Sequence, residues 1–341
     1  MVIDDRLHPE PCIEKMYRTA RIRHTMSNES FNIQTTPNIG ISIRSSYGSE
    51  LPPREGAKQI LDRAQAASEA QLDSLFLGDH HATRTPYYQN IPMMGRLLAS
   101  WSGPEAGVLL LLPLWSPVLA AELIATLATL TSSRFVMQCG IGYGAKQFAA
   151  MGADHLGRGE RFTRALDLIP TLWSGESVSD SLWKVDRAVI SPLPPEPIDI
   201  WIGATAPVAL RRVAKTGHVW LADPGLAADA LVKKRDRYYA ECEVEGRSPN
   251  PRMALRRDVH IAESTRACEA LRAQLSKEGY RGIDPDALII ATVDEACDRF
   301  SALAELGFTD IITRHLHPDQ NEAVASIHRL GEVRERLKAS Q

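Results

Sequence analysis

Three short stretches of this chain hold residues whose types and spacing suit chemistry. Asp79-His80-His81 sets a carboxylate beside two imidazoles, and a neutral imidazole near pH 7 is the side chain best suited to take or give a proton. Gly140-Ile141-Gly142-Tyr143-Gly144 follows the apolar run Phe135-Val136-Met137, and glycines at that point let the backbone turn sharply and bring its N–H groups close to an anion. Ile200-Trp201-Ile202-Gly203-Ala204-Thr205-Ala206-Pro207 reads as a second strand meeting a helix N-terminus, where unpaired N–H groups and the helix dipole favour negative charge. Thr205 is predicted to cap that helix. If the two turns lie side by side they clasp one phosphate, with the Tyr143 hydroxyl and Arg158 as further partners.

Each stretch has alternatives. The glycines do not follow the G-x-G-x-x-G order, because Ala145 occupies the sixth position, so a dinucleotide fingerprint is set aside. Adjacent histidines also occur in metal hydrolases and phosphoesterases, but no further aspartate-rich motif accompanies them and their spacing does not aim two ligands at one point. No metal site is predicted. A histidine hydrogen-bonded inside the core, a simple helix cap at Thr205 and a surface ion pair at Arg158 are the structural alternatives.

The elements that must position these residues alternate. Ile39 to Arg44, Ser74 to Gly78, Val108 to Leu112, Arg134 to Cys139, Ile200 to Gly203, His218 to Ala222, Met253 to Ile261 and Asp310 to Thr313 read as eight strands. Helices are predicted over Glu55 to Ala70, Pro92 to Trp101, from Pro117 after a Ser116 cap, from Phe162, from Pro207, from Ala227, over Thr265 to Ser276, Asp294 to Leu306 and Asn321 to Leu337. That is an α/β chain of βα units with a parallel sheet, and the count fits a TIM (β/α)8 barrel with insertions at the C-terminal strand ends. Residues 1–37 are predicted as an irregular arm and 38–341 as one barrel, with insertions near 177–197, a hairpin with a proline-rich loop, and 277–290. Met26 is a candidate alternative start.

In such a barrel the active site lies at the C-terminal strand ends. These ends collect Asp79, His80 and His81; Pro113, Leu114 and Trp115; the glycine turn; Gly203 to Thr205; Asp223; His260; and Arg314, His315 and His317. Polar groups beside flat apolar walls suit a planar aromatic cofactor with a phosphate tail. Leu114, Trp115, Met93 and Met94 suggest an apolar cavity.

Composition excludes other classes. A formal charge of -3 with arginines scattered among acids offers no field for nucleic acid. The most apolar run, Gly107 to Leu130, is broken by Pro113, Pro117 and Glu122 and reads as strand then helix, not a membrane span. The N-terminus shows no apolar signal region. Five cysteines, Cys12, Cys139, Cys242, Cys268 and Cys297, without a C-x-x-C pair fit reduced thiols in the cytoplasm.

With those residues in view, the chain resembles the bacterial luciferase-like family of flavin-dependent oxidoreductases over nearly all that follows the arm. LFLGDHH with PYYQNIP at 75 to 92, RFVMQCGIGYGAKQFAAMG…RGERF…ALDLIPTLWSGE, and PPEPIDIWIGATAPVALRRVAKTGHVWL at 194 to 221 carry the likeness. LLLLPLWSPVLAAELIATLATLTSSRF and TVDEACDRFSALAELGFTDIITR fit its order of elements. The resemblance implies a barrel holding FMN, with the ring across the strand ends and the phosphate near Tyr143 and Gly203 to Thr205. His81, Pro113, Leu114, Gly140, Gly142, Tyr143, Arg158, Gly203, Ala204 and Thr205 are the cofactor-binding candidates it points to.

His80 matches the family's active-site histidine, and Arg314 is assigned to orienting an anionic substrate. The sequence departs from the family at Gln147 and Arg164, where acids are usual, and at Ser133, where glycine is. The implied reaction is oxygenation of a small organic substrate by reduced FMN and O2, the flavin coming from a separate reductase. The alternatives are hydride transfer with a deazaflavin, coenzyme F420, and a non-catalytic flavin-binding protein. Water must be kept from such chemistry, so Lys277 to Ile290 is the first candidate lid and the hairpin after Glu176 the second. The second and third helices, with alanine and leucine to spare, suggest a homodimer.

Overall fold

The computed structural model describes residues 36–339; most of the predicted arm, with Cys12 and Met26, lies outside them. Strand and helix alternate as β1 (Asn38–Ile43), α1 (Pro53–Glu69), β2 (Ser74–Leu77), α2 (Asn90–Leu98), β3 (Glu105–Leu111), α3 (Pro117–Thr129), β4 (Arg134–Gly140), α4 (Ala145–Ala150) and α5 (Arg158–Trp173). A hairpin, β5 (Val178–Asp180) and β6 (Val185–Ala188), interrupts the alternation. It resumes with β7 (Asp199–Gly203), α6 (Pro207–Thr216), β8 (Val219–Ala222), α7 (Ala228–Val244), β9 (Met253–Ile261), α8 (Thr265–Glu278), β10 (Ile289–Ala291), α9 (Val293–Glu305), β11 (Asp310–His315) and α10 (Gln320–Ala339).

The main sheet runs β10-β9-β11-β1-β2-β3-β4-β7-β8, every pairing parallel, and β8 pairs back to β9. Eight strands therefore close the predicted barrel. The ninth, β10, adds to the projecting end of β9 at Val259 to Ile261. The stretch from Lys277 to Ile290, predicted as an insertion and candidate lid, is thus corrected at both ends: α8 continues to Glu278, and Ile289 and Ile290 are paired strand. Buried Ile289 and Ile290 gain ladder bonds and core contacts there that a loop would forgo.

Period-two alternation sorts each strand into an outward face and an inward face. Ile39, Ile41, Leu75, Leu77, Leu110, Met137, Ile202, Leu255 and Ile311 pack outward under the helices in the principal core. The inward residues form layers, as barrel interiors do. At the N-terminal end Arg252 bridges Asp310 (2.7 Å), Glu105 (3.1 Å) and Asp199 (3.1 Å) and lies 4.9 Å from the Trp201 ring centre. That network explains why β3 starts at Glu105, three residues before the predicted Val108: the carboxylate is held inside the ring.

The next layer is Phe76, Val136, Trp201, Val219, Ala254 and Ile312. Gly107 makes room for it, since a Cβ there would stand 2.8 Å from the Phe76 ring and 2.2 Å from the Val136 oxygen. The hairpin is fastened to α5 by Arg164, whose Nε donates to Asp180 at 2.8 Å, and by Arg161, whose guanidinium lies 3.6 Å over Trp183. Arg164 thus has a structural duty where the family usually places an acid. Met94, predicted to line a cavity, is fully buried in the core on α2, because its helix turns that position toward the sheet.

Candidate active site

The residues after β2 divide their duties. Asp79 Oδ2 accepts from the Leu111 N–H at 2.7 Å and the Trp115 indole N–H at 2.8 Å, tying the end of β2 to the end of β3. His81 Nε2 lies 2.9 Å from Asp79 Oδ1, and this contact holds the His81 pKa above its ordinary value despite burial. His80 is half-buried, and desolvation pushes its pKa down. Its Nδ1 stands 3.2 Å from Gln147 Nε2, and the same Nε2 donates to the His81 carbonyl at 3.2 Å. A carbonyl only accepts, so that atom of Gln147 is the amide nitrogen and its second hydrogen goes to His80. The neutral His80 ring therefore carries its proton on Nε2.

Tyr87, from the loop before α2, stands edge-on to His80 at 5.7 Å between ring centres. A Cβ on Gly78 would come 3.0 Å from its hydroxyl, so Tyr87 reaches over the end of β2. Burial raises its pKa and keeps the phenol neutral.

The two predicted anion turns are neighbours, since β4 and β7 pair with Cys139 opposite Ile202. Gly142 has φ 72°, and a Cβ there would meet Phe148 at 2.9 Å, so this turn admits only glycine without strain. Tyr143 is 92% exposed, and its carbonyl accepts from His155 Nε2 at 3.2 Å. Arg158 is the first residue of α5, four residues earlier than the predicted start at Phe162. Its Nη1 donates to the His155 carbonyl at 2.6 Å, while its Nε is buried with no hydrogen-bond partner.

In the second turn Ala204 donates to the Leu221 carbonyl at 3.3 Å and accepts from the Trp220 indole at 2.9 Å. Gly203 leaves that backbone open, with only the Cys139 oxygen near a would-be Cβ, at 3.5 Å. Thr205 does not cap α6. Ala206 takes that position and no side chain bonds there, because Pro207 opens the helix one residue later than a Thr205 cap requires. Pro113 and Leu114 form a 3-10 turn after β3, and the Pro113 carbonyl accepts from Arg161 Nε at 3.3 Å. An orphaned buried donor on Arg158, two adjoining glycine turns and apolar neighbours fit a phosphate-tailed planar cofactor.

Arg314, read from the sequence as orienting an anionic substrate, sits in a third group whose other members, Arg256 and Asp258, the sequence reading did not name. Above the apolar layer the inward faces of β9 and β11 continue as Arg256, Asp258 and Arg314, with Ile312 beside Arg256 and Arg314 beside Asp258 in register. Asp258 is fully buried; its Oδ2 accepts from Tyr280 at 2.9 Å and Arg281 at 2.8 Å, with Arg314 Nη1 at 3.5 Å. Tyr280 and Arg281 belong to the predicted lid segment, which is therefore anchored on the barrel mouth. For Arg256 and Asp258 the available sequence signal was the charged run Arg256-Arg257-Asp258 inside a strand that is apolar elsewhere except at His260. Among the described residues no group of three or more His, Cys, Asp and Glu is placed to hold a metal ion, and no helix is long and apolar enough to cross a membrane.

A model of the luciferase-like monooxygenase family matches residues 38–326. An F420-dependent glucose-6-phosphate dehydrogenase of Nakamurella multipartita is 29% identical over 188 residues, half of this chain and 54% of that protein. One of Beutenbergia cavernae is 26% identical over 326 residues, 83% of this chain and 94% of that protein. For the former, then, the chain spans about half the relative's length, and for the latter nearly all of it. Among solved structures, the FMN complex of the oxygenating constituent of 3,6-diketocamphane monooxygenase from Pseudomonas putida matches with TM-score 0.69 and 16% identity, over 89% of this chain and 98% of that one. An F420-dependent secondary alcohol dehydrogenase matches with TM-score 0.69 and 16% identity, over 87% and 98%. At that identity both likenesses speak to the fold.

Proposed function

Since the chain belongs to the luciferase-like monooxygenase family, we propose that it is a deazaflavin-dependent oxidoreductase, transferring a hydride between coenzyme F420 and a small organic substrate at the C-terminal mouth of the barrel. The observation that carries this reading is the likeness to F420-dependent dehydrogenases, one of them along nearly its whole length. It takes precedence over FMN-and-oxygen chemistry, which uses the same scaffold and becomes an outcome of the test.

The bound coenzyme supplies a carbon that gives or takes a hydride. The chain's own residues do the rest. The turns at Gly140 to Gly144 and Gly203 to Thr205, with Arg158 beside the first, hold the phosphate tail; Pro113, Leu114 and Trp115 give an apolar wall that sheds water. In the direction of substrate reduction His80 would offer its Nε2 proton to the substrate oxygen as the adjoining carbon receives the hydride, and the reverse reaction would return that proton to a deprotonated Nε2; Asp79 with His81 keeps that loop in place. A homodimer through α2 and α3 belongs to the same proposal, supported by Leu119 and Leu130, which are 47% and 60% exposed.

Fluorescence titration of the full chain with F420 and with reduced FMN, followed by a substrate panel with and without oxygen, tests this. Saturable F420 binding and turnover independent of oxygen support it. Oxygen uptake coupled to reduced FMN, with no affinity for F420, would overturn it in favour of the monooxygenase.

A further inference from the structure

Gly78 leaves a gap at the barrel mouth that a tyrosine from the following loop fills. Phe76 faces inward on β2, so position 78 is the next inward one along the chain. It carries no side chain, and the Tyr87 hydroxyl stands 3.0 Å from where a Cβ would be. That sets the hydroxyl at the height of Arg256 and Arg314, which lie one inward position above Ala254 and Ile312 in the layer that Phe76 shares. Both guanidiniums act on the phenol across the mouth. On their own side they face Asp258, around which Arg256, Arg281 and Arg314 gather at 3.6, 2.8 and 3.5 Å.

The loop that brings Tyr87 there is fastened to the end of β1. The Tyr47 N–H donates to the Pro86 carbonyl at 3.2 Å and the Tyr88 N–H to the Ser45 carbonyl at 3.1 Å, around an antiparallel bridge between Ser46 and Tyr87. The Tyr47 and Tyr88 rings stack at 4.8 Å. Ser45 Oγ is buried and otherwise unpartnered, and it favours the ionised phenol, as a hydroxyl aimed at the phenol oxygen does. Burial outweighs that effect and keeps the phenol protonated. A phenol has one hydrogen to donate, and with Ser45 on its oxygen that hydrogen is left for a ligand in the mouth. Filling the gap needs only a ring: phenylalanine would keep the edge contact with His80 and avoid the cost of burying a hydroxyl.

We infer that Tyr87 is a second hydrogen-bond donor to the reacting oxygen of the substrate, working beside His80 Nε2 with the two rings 5.7 Å apart. The inference deepens the oxidoreductase reading by adding a residue that touches the substrate, and rests on that reading only for the chemical step. Tyr87 keeps its own proton. His80 supplies the one that the oxygen takes, and the phenol hydrogen bond stabilises the charge on that oxygen while the hydride arrives.

The experiment uses the full chain without cofactor and para-nitrophenolate as the probe, a charged oxygen whose absorption band moves with hydrogen bonding. The parent should bind it saturably with a shifted band, and Tyr87→Phe and His80→Ala should each weaken it about tenfold or more. Tyr87→Phe keeps the ring, so it should melt at the parent's temperature and leave the His80 tautomer unmoved by nitrogen NMR; a tyrosine that only props His80 would shift that ring. Ser45→Ala should raise the titration midpoint of the phenol, read by carbon NMR of labelled tyrosine, and an unmoved midpoint removes Ser45 from the arrangement. With coenzyme and substrate, Tyr87→Phe should lower kcat about 10²-fold with KM little changed. Probe binding that is absent in the parent or equal in parent and Tyr87→Phe, or a moved His80 tautomer in that variant, overturns the proposal. F420 titration separates the two readings: tyrosine-dependent probe binding with no F420 affinity in the parent removes the coenzyme assignment alone, and intact F420 binding with tyrosine-independent probe binding removes the second donor alone.

Discussion

Gln147 fixes the tautomer of His80, because its amide nitrogen donates to the His80 Nδ1 and to the His81 carbonyl at 3.2 Å each. The proton this leaves on Nε2 makes that nitrogen of His80 a donor. A chain with an acid at this position would hold the ring the other way round, with Nδ1 protonated and Nε2 bare. Gln147→Glu is therefore expected to reverse the tautomer and, by adding a negative charge, to move the pH midpoint of His80 upward by about one unit or more. Nitrogen NMR of the labelled ring and a pH–rate profile read these directly; an unmoved tautomer would show that Gln147 does not orient the ring.

His80 itself is expected to contribute about 10²- to 10⁴-fold in kcat through proton transfer. His80→Ala should lose that factor while binding the coenzyme as tightly as the parent. Full turnover in this variant would end its assignment as a catalytic residue. Burial lowers the parent's His80 pKa below the ordinary 6.5, so the ring should remain neutral across the neutral range and protonate only on the acid side of that value.

The orphaned Nε of Arg158 leads to a binding prediction. Arg158→Ala should weaken cofactor affinity by about 1.5–3 kcal/mol, the range for a hydrogen bond to a charged group, with little change in melting temperature. Fluorescence titration measures it. Equal affinity in parent and variant would place the phosphate elsewhere.

Arg252 serves the opposite end of the barrel. Its removal leaves Glu105 and Asp310 buried and uncompensated, so Arg252→Met is expected to cost about 3–5 kcal/mol in denaturant unfolding. KM should be unchanged, since the layer of Phe76, Val136 and Trp201 separates Arg252 from the mouth. A raised KM with unchanged stability would contradict this division of the interior.

The acid limb of stability is expected to follow His260. It is 3% exposed, and burial, with His317 and Arg329 nearby, brings its pKa down to about 4. The unfolded chain, titrating near 6.5, then binds the extra proton first, so this contribution is whole above about pH 6.5 and is lost as pH falls toward 4. The loss amounts to roughly 3 kcal/mol at about 1.4 kcal/mol per pH unit. His260→Gln should flatten the stability curve over that window, although buried His315, whose pKa is also lowered by burial, keeps some slope. Parallel curves for parent and variant would refute the assignment.

The eight barrel strands were legible in the chain because parallel strands covered on both faces read as short apolar runs between turn signals. The glycine turn after Val136, the turn at Gly203 and the histidines after Leu77 were equally visible, since each sits where a strand stops and chain order alone puts strand ends at one rim. Alternation along β9 even places Arg256 and Asp258 on one face and Arg257 on the other. What the order of residues does not contain is which face becomes the inside. Only closure of β8 onto β9 turned Arg256, Asp258 and Arg314 into the barrel and Arg252 onto its floor. The same closure brought Tyr280 and Arg281, more than twenty residues away in sequence, onto Asp258, and made Ile289 and Ile290 a strand rather than part of a loop. Gln147 likewise met His80 across 67 residues. Local chemistry is written residue by residue, whereas the sharing of one buried carboxylate by three cations is a property of distance, and distance is set when the ring shuts.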